Sequence, residues 1–200
     1  MRRIPIAVLC AAFLLGATAL AQTPAKRIRG EIVAVDGSKL LVKERSGERL
    51  TIDLDEKYTV AAVAKIDLAA IAPGNFVGAA TMPQADGTQR ALEVLVFPES
   101  GRGSGEGHYP WDLQPGSMMT NATVADVVKV DQARRMTLRY KDGEKVVLVP
   151  ENVPIVTFEP GDRTMLKPGA YVIIGATPQP DGSLKATRVS VGKDGLVPPM

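Results

Sequence analysis

Pro73-Gly74-Asn75-Phe76-Val77, running on through Met82-Pro83-Gln84-Ala85-Asp86-Gly87 to Ala91, Val94 and Val96, returns ninety-five positions later. There the chain reads Pro168-Gly169-Ala170-Tyr171-Val172, Thr177-Pro178-Gln179-Pro180-Asp181-Gly182, then Ala186, Val189 and Val191. The same offset lays Val33, Val35 and Asp36 on Val128, Val130 and Asp131, and Asp67 on Asp162. Self-similarity at a fixed long period marks a duplicated folding unit. Gly47 matches Gly143, a slip of one residue that a single insertion in a hairpin turn produces.

Each copy reads as β-rich. Arg29 to Val35 and Leu40 to Glu44 are short β-branched runs separated by Asp36-Gly37, a hairpin-forming pair, and Leu50 to Leu54 alternates as a strand does. Tyr58 to Val63 adds an extended piece. Asp67 then predicts the cap of a short helix, Leu68-Ala69-Ala70-Ile71, stopped by Pro73-Gly74, and Asp162, Met165-Leu166 and Pro168-Gly169 repeat that grammar. Two strands close each copy, Phe76 to Thr81 with Arg90 to Phe97, and Tyr171 to Ala176 with Lys185 to Val191. Three strands, a helix and two strands is the order of an OB-type barrel. The fold expected is therefore mainly β, two tandem OB-like five-stranded barrels each with one short helix, over 28–97 and 122–192.

Met1 to Ala21 has Arg2 and Arg3, an apolar run from Ile6 to Leu15, and Ala19-Leu20-Ala21, the order of a secretory leader, with cleavage expected after Ala21. Its apolar run is shorter than the roughly 20 residues a membrane helix needs. The expected location is periplasmic or secreted, with no membrane span in the mature chain. Arg2, Arg3 and Cys10 leave with the leader, so 22 basic residues face 22 acidic ones in a chain without cysteine. A nucleic-acid binder ordinarily shows a basic face with interleaved aromatics, so that class is excluded.

Residues 98–121 break the repeat and 193–200 form a tail. Gly101, Gly103, Gly105 and Gly107 alternate strictly, which is no phosphate-loop spacing, and no cofactor is expected. The only histidine and the only tryptophan then fall together, in His108-Tyr109-Pro110-Trp111. Aromatics in a spacer argue that it docks, with Tyr109 and Trp111 either filling a groove between the barrels or exposed to a ligand or partner. Tyr58 and Tyr140 are the repeat-strand aromatics that could line a binding face. Phe76 and Tyr171 occupy equivalent positions and are expected in the core. His108 with Met118 and Met119 is the one set that suits a soft metal such as copper(I). No nucleophile elbow accompanies the lone histidine, and no catalytic residue is assigned.

The Val-Asp-Gly turn, the capped helical turn, Leu-x-x-Ile-x-Pro-Gly-x-Phe-Val, and Pro-Gln-x-Asp-Gly resemble bacterial exported proteins with DUF5666-type, OB-like domains, over 28–97 and 122–192. The resemblance implies a barrel and an envelope location and brings no activity with it. The function expected is a non-enzymatic binding or structural module for an envelope protein or small ligand. The opposing expectations are a metal-handling protein and, last, a hydrolase using acidic residues.

Overall fold

On three successive strands buried apolar residues fall on one face: Ile28 and Ile32 on β1 (Lys26–Asp36), Leu40 and Val42 on β2 (Lys39–Glu44), Ile52 and Leu54 on β3 (Arg49–Lys65). Alternation at period two gives a strand one buried face, and three such strands joined by tight turns form an antiparallel meander. A computed structural model describes residues 24–130 and 133–199. The expected leader and cleavage site lie outside the described residues, as do Asp131, Gln132 and Met200.

The remaining strands are β4 (Phe76–Pro83), β5 (Gln89–Val96), β6 (Gly107–Pro110), β7 (Met118–Val130), β8 (Ala133–Tyr140), β9 (Gly143–Pro150), β10 (Ile155–Pro160), β11 (Tyr171–Pro178) and β12 (Leu184–Gly192). The chain is mainly β. Its helical pieces are three-residue 3₁₀ turns, including Leu68–Ala70 and Arg163–Met165 where short helices are predicted. Both keep the expected cap. Asp67 accepts from the Ala69 amide at 2.6 Å and Asp162 from the Thr164 amide at 2.8 Å.

The pairing departs from one barrel per copy. β1, β2 and β3 close not with β4 and β5 but with β11 and β12: β1 runs antiparallel to β11, and β12 parallel to β3. This makes a closed five-stranded barrel around Ile28, Ile32, Leu40, Val42, Ile52, Ile174 and Val189. In return β4 and β5 join β7, β8 and β9, with β4 antiparallel to β7 and β5 parallel to β9. That second ring encloses Val77, Val94, Val124, Met136, Leu138 and Val147. The copies have exchanged their last two strands, so the boundaries read from the repeat are not those of the rings. Local sequence fixes strands and faces, and either set of last strands presents the same apolar face, so the exchange has no local signal.

The rings are joined by β10, which pairs antiparallel with β3 and parallel with β5. In the first of these ladders Val63 lies opposite Phe158, its own repeat equivalent, so a pseudo-twofold axis passes through that pair. In the first copy the third strand is continuous and absorbs the expected extended piece at Tyr58 to Val63. In the second copy it is broken into β9 and β10, where Pro154 stands in place of Thr59 and has no N–H for the ladder.

The repeat register also changes along the chain. Tyr171 faces Glu31 whereas Phe76, its equivalent, faces Thr123, which puts the first strands 92 residues apart and not 95. The bulges at Val33 and Ala125 agree with that offset. Beyond the bulge, the β7–β8 hairpin is longer than β1–β2 by two residues on each strand. Val33 and Val35 are therefore not the structural equivalents of Val128 and Val130.

Candidate functional site

The segment between the copies is a strap held at both ends. Arg102 donates to Glu99 at 2.6 and 2.8 Å and to the Gly74 carbonyl at 3.0 Å, tying its start to the second ring. Gly103 and Gly105 have positive φ, which gives the backbone a turn and not an anion cradle. β6 then adds to the edge of β7, with His108 opposite Thr120 and Tyr109 opposite Met119. The expected linker thus contains one strand and the first four residues of another.

Past β6 the strap crosses to the first ring. The Arg27 guanidinium lies 3.9 Å from the Trp111 ring centroid, and Tyr109 packs on Trp111 at 6.0 Å between centroids. Asp112 accepts from Arg27 at 2.8 Å and from Arg29 at 2.7 Å. Burial pushes the Asp112 carboxyl up, but the hydrogen bonds and charges of Arg29 and Arg27 outweigh it and hold it below the ordinary value. Asn121 donates to Tyr109 Oη at 3.1 Å, and Ser117 ties the turn by donating to Trp111 and Gln114 carbonyls. Tyr109 and Trp111 therefore latch the strap within the molecule. Trp111→Ala is expected to cost about 1–2 kcal/mol, since a partly exposed cation–π pair and lost packing are each worth about 1 kcal/mol. It should also speed proteolysis within Gly101–Gly107; an unchanged digestion rate would show that the latch does not restrain the strap.

The copper-type set does not converge. Residues opposite one another in a ladder share a face, so His108, Thr120 and Met118 lie on one side of the sheet while Met119 lies with Tyr109 on the other. The His108 Nδ1 is 2.8 Å from Thr120 Oγ1, and its ring stacks with Tyr140 at 6.5 Å. Burial, aided by the charge of Lys145, lowers its pKa and favours the neutral ring. Tyr140 packs against the core of the second ring and Tyr58 against that of the first, so the four aromatic candidates form no common surface. Phe76 is buried as expected, and Tyr171 is half-buried.

Two features escape the sequence reading. The first is Glu93 on β5, fully buried with neither carboxylate oxygen hydrogen-bonded. It faces the charges of Arg29 and Arg45, which come from the other ring, and burial pushes its pKa up to about 8 despite them. Its place was not legible from parity: a bulge at Leu92 lets Glu93 pair with Ala80 while Ala91 pairs with Thr81, so the two face opposite sides of the strand and only Ala91 joins the core of the second ring.

The second is a cleft of about 600 Å³ at the end of the second ring. Lys65, Lys129 and Arg134 stand on its rim with Asp67 and Glu151, and Leu68, Val153, Ile155, Val156 and Leu196 form its floor. Leu68 and Val153 close off the barrel core beneath. The equivalent place on the first ring is narrower, a hollow of about 390 Å³ lined by Thr59, Val60, Ala61 and Pro160, the equivalents of Pro154, Ile155, Val156 and Lys65. There Arg163 and Tyr58 stand where Leu68 and Val153 stand in the other copy, the Arg163 guanidinium lies 4.3 Å from the Tyr58 ring centroid, and it donates to the Glu56 carbonyl at 3.0 Å.

Compared with protein-family models, with curated proteins and with solved structures, the chain matches none. Among the described residues no helix is long and apolar enough to cross a membrane.

Proposed function

We propose that the protein is an exported, non-enzymatic binding module, in which two interlocked OB-type barrels act as one support for a small-ligand site. The observation that carries this reading is the inequality of the two ring ends. Two copies of one unit share their cap and their turns, yet at one end a stacked Arg163–Tyr58 pair leaves a hollow of about 390 Å³ and the other is an open cleft of about 600 Å³. Its volume falls in the roughly 300–1,000 Å³ range of small-molecule sites. The position on loops held by a barrel, where side chains vary at little cost to the core, also suits binding.

Native mass spectrometry of the mature chain, purified gently from its own cell envelope, tests the reading. A discrete added mass, released on denaturation, is the expected result. Bare chain, at a cleft that also stays unoccupied when crude envelope extract is added, would overturn it.

A further inference from the structure

Three cations reach the cleft, and they come from different parts of the fold. Lys65 ends β3, while Lys129 and Arg134 face one another across the β7–β8 hairpin. Lys129 and Arg134 stand on the part of the hairpin that the first copy lacks, beyond the bulge. Among the described residues none of the three makes an ion pair or a side-chain hydrogen bond. Of the two carboxylates on the rim, Asp67 is already engaged by the Ala69 amide. Beneath the rim the floor is aliphatic, with Ile155 and Val156 buried and Leu68, Val153 and Leu196 half-buried.

Unpaired cations above an apolar floor suit a ligand that has both parts. The charge of an anion is met at the rim, where Lys and Arg side chains give it several N–H donors, and an apolar body covers aliphatic surface that water otherwise wets. We infer that the cleft between the β7–β8 hairpin and the 151–154 turn binds a small amphipathic anion, a carboxylate on an acyl chain. The inference deepens the binding reading above and rests on it. The first ring supplies an internal control. There Arg163 lies on the Tyr58 ring and donates to the Glu56 carbonyl, so the cation at that end is already engaged and the anion is expected to prefer the second ring.

Decanoate is the probe, titrated calorimetrically into the mature protein, with decanol and decyltrimethylammonium as neutral and cationic counterparts of equal chain length. Decanoate is expected to bind with a Kd on the order of 10–100 µM, and the other two at least ~10-fold more weakly, about 1.4 kcal/mol for the anion contact. Lys129→Gln with Arg134→Gln, both on the hairpin and away from the core, should cost decanoate ~10-fold or more and leave decanol unchanged. Leu68→Arg with Val153→Tyr transplants the Arg–Tyr pair into the mouth of the cleft and should weaken binding of all three by ~10-fold or more. Equal affinity for decanoate and decanol would overturn the anion assignment. Decanoate binding that survives the transplant undiminished would place it elsewhere on the molecule. No decanoate binding, beside a bound mass in the native preparation, would sink the ligand class and leave the binding reading standing.

Discussion

Glu93→Gln is expected to melt about 10 °C above the unsubstituted protein near pH 9 and at the same temperature near pH 5, since roughly 3–5 kcal/mol separates the two over that window. The Glu93 carboxyl is raised by burial from an ordinary 4.5 to about 8, with Arg29 and Arg45 opposing the rise without cancelling it. Across that interval the folded protein keeps a proton that the unfolded chain has released. The stability this group contributes is therefore highest below about pH 4.5, falls as pH rises toward 8, and levels once both states are ionised. Glutamine keeps the shape and cannot ionise, so the slope contributed by this group disappears. Thermal unfolding followed from pH 5 to 9 in both proteins gives the answer; two parallel curves would mean that water or the two guanidinium groups solvate the carboxylate fully.

Gly30→Ala is the second large effect. Gly30 lies between β2 and β11, opposite Glu44 on one side and Val172 on the other. A Cβ there would fall 2.2 Å from the Lys43 carbonyl oxygen and 2.8 Å from Val42 Cγ1. Neither is the free end of a flexible side chain, so β1 and β2 must part, at a cost of about 3 kcal/mol or more. By the strand pairing its equivalent in the second ring is Ala122, fully buried, so that ring accommodates the methyl group the first cannot. Because each ring contains strands from both copies, the loss should appear as one transition. Urea unfolding read by far-ultraviolet circular dichroism and by Trp111 fluorescence should give coincident midpoints, both lowered. Two separated transitions would show that the rings unfold independently, and an unchanged midpoint would show that β1 absorbs the methyl group.

Most strands and the Asp67 and Asp162 caps were legible, because each depends on residues within a few positions of one another, whereas β6, inside the expected spacer, and β10 were not. The partner of β3 was not. β5 and β12 carry the same alternating apolar face, and the path from Lys65 to Phe76 leaves both closures open, so the choice rests on how Val63 and Phe158 meet at the pseudo-twofold axis. The site divided in the same way. Docking of the strap followed from aromatics in a glycine-rich spacer, whereas its specific latch, Asp112 on Arg27 and Arg29, joins residues far apart in the chain. His108, Met118 and Met119 sit close in sequence, but ladder parity sends Met119 to the opposite face. The cleft was hidden because it is defined by what Leu68 and Val153 fail to fill, which only the comparison with Arg163 and Tyr58 reveals.

The exchange of end strands has a consequence for the order of events in time. The ring that contains β1 is sealed by β11 and β12, so it cannot close until they arrive, whereas the second ring needs nothing beyond β9. Until β11 and β12 come, β1 and β3 present unpaired edges, and the β4–β5 hairpin waits for β7. Open edges invite pairing with other chains, and closures between such distant segments are slow. The first three strands are therefore the part of the molecule most exposed to wrong partners before β11 and β12 are present.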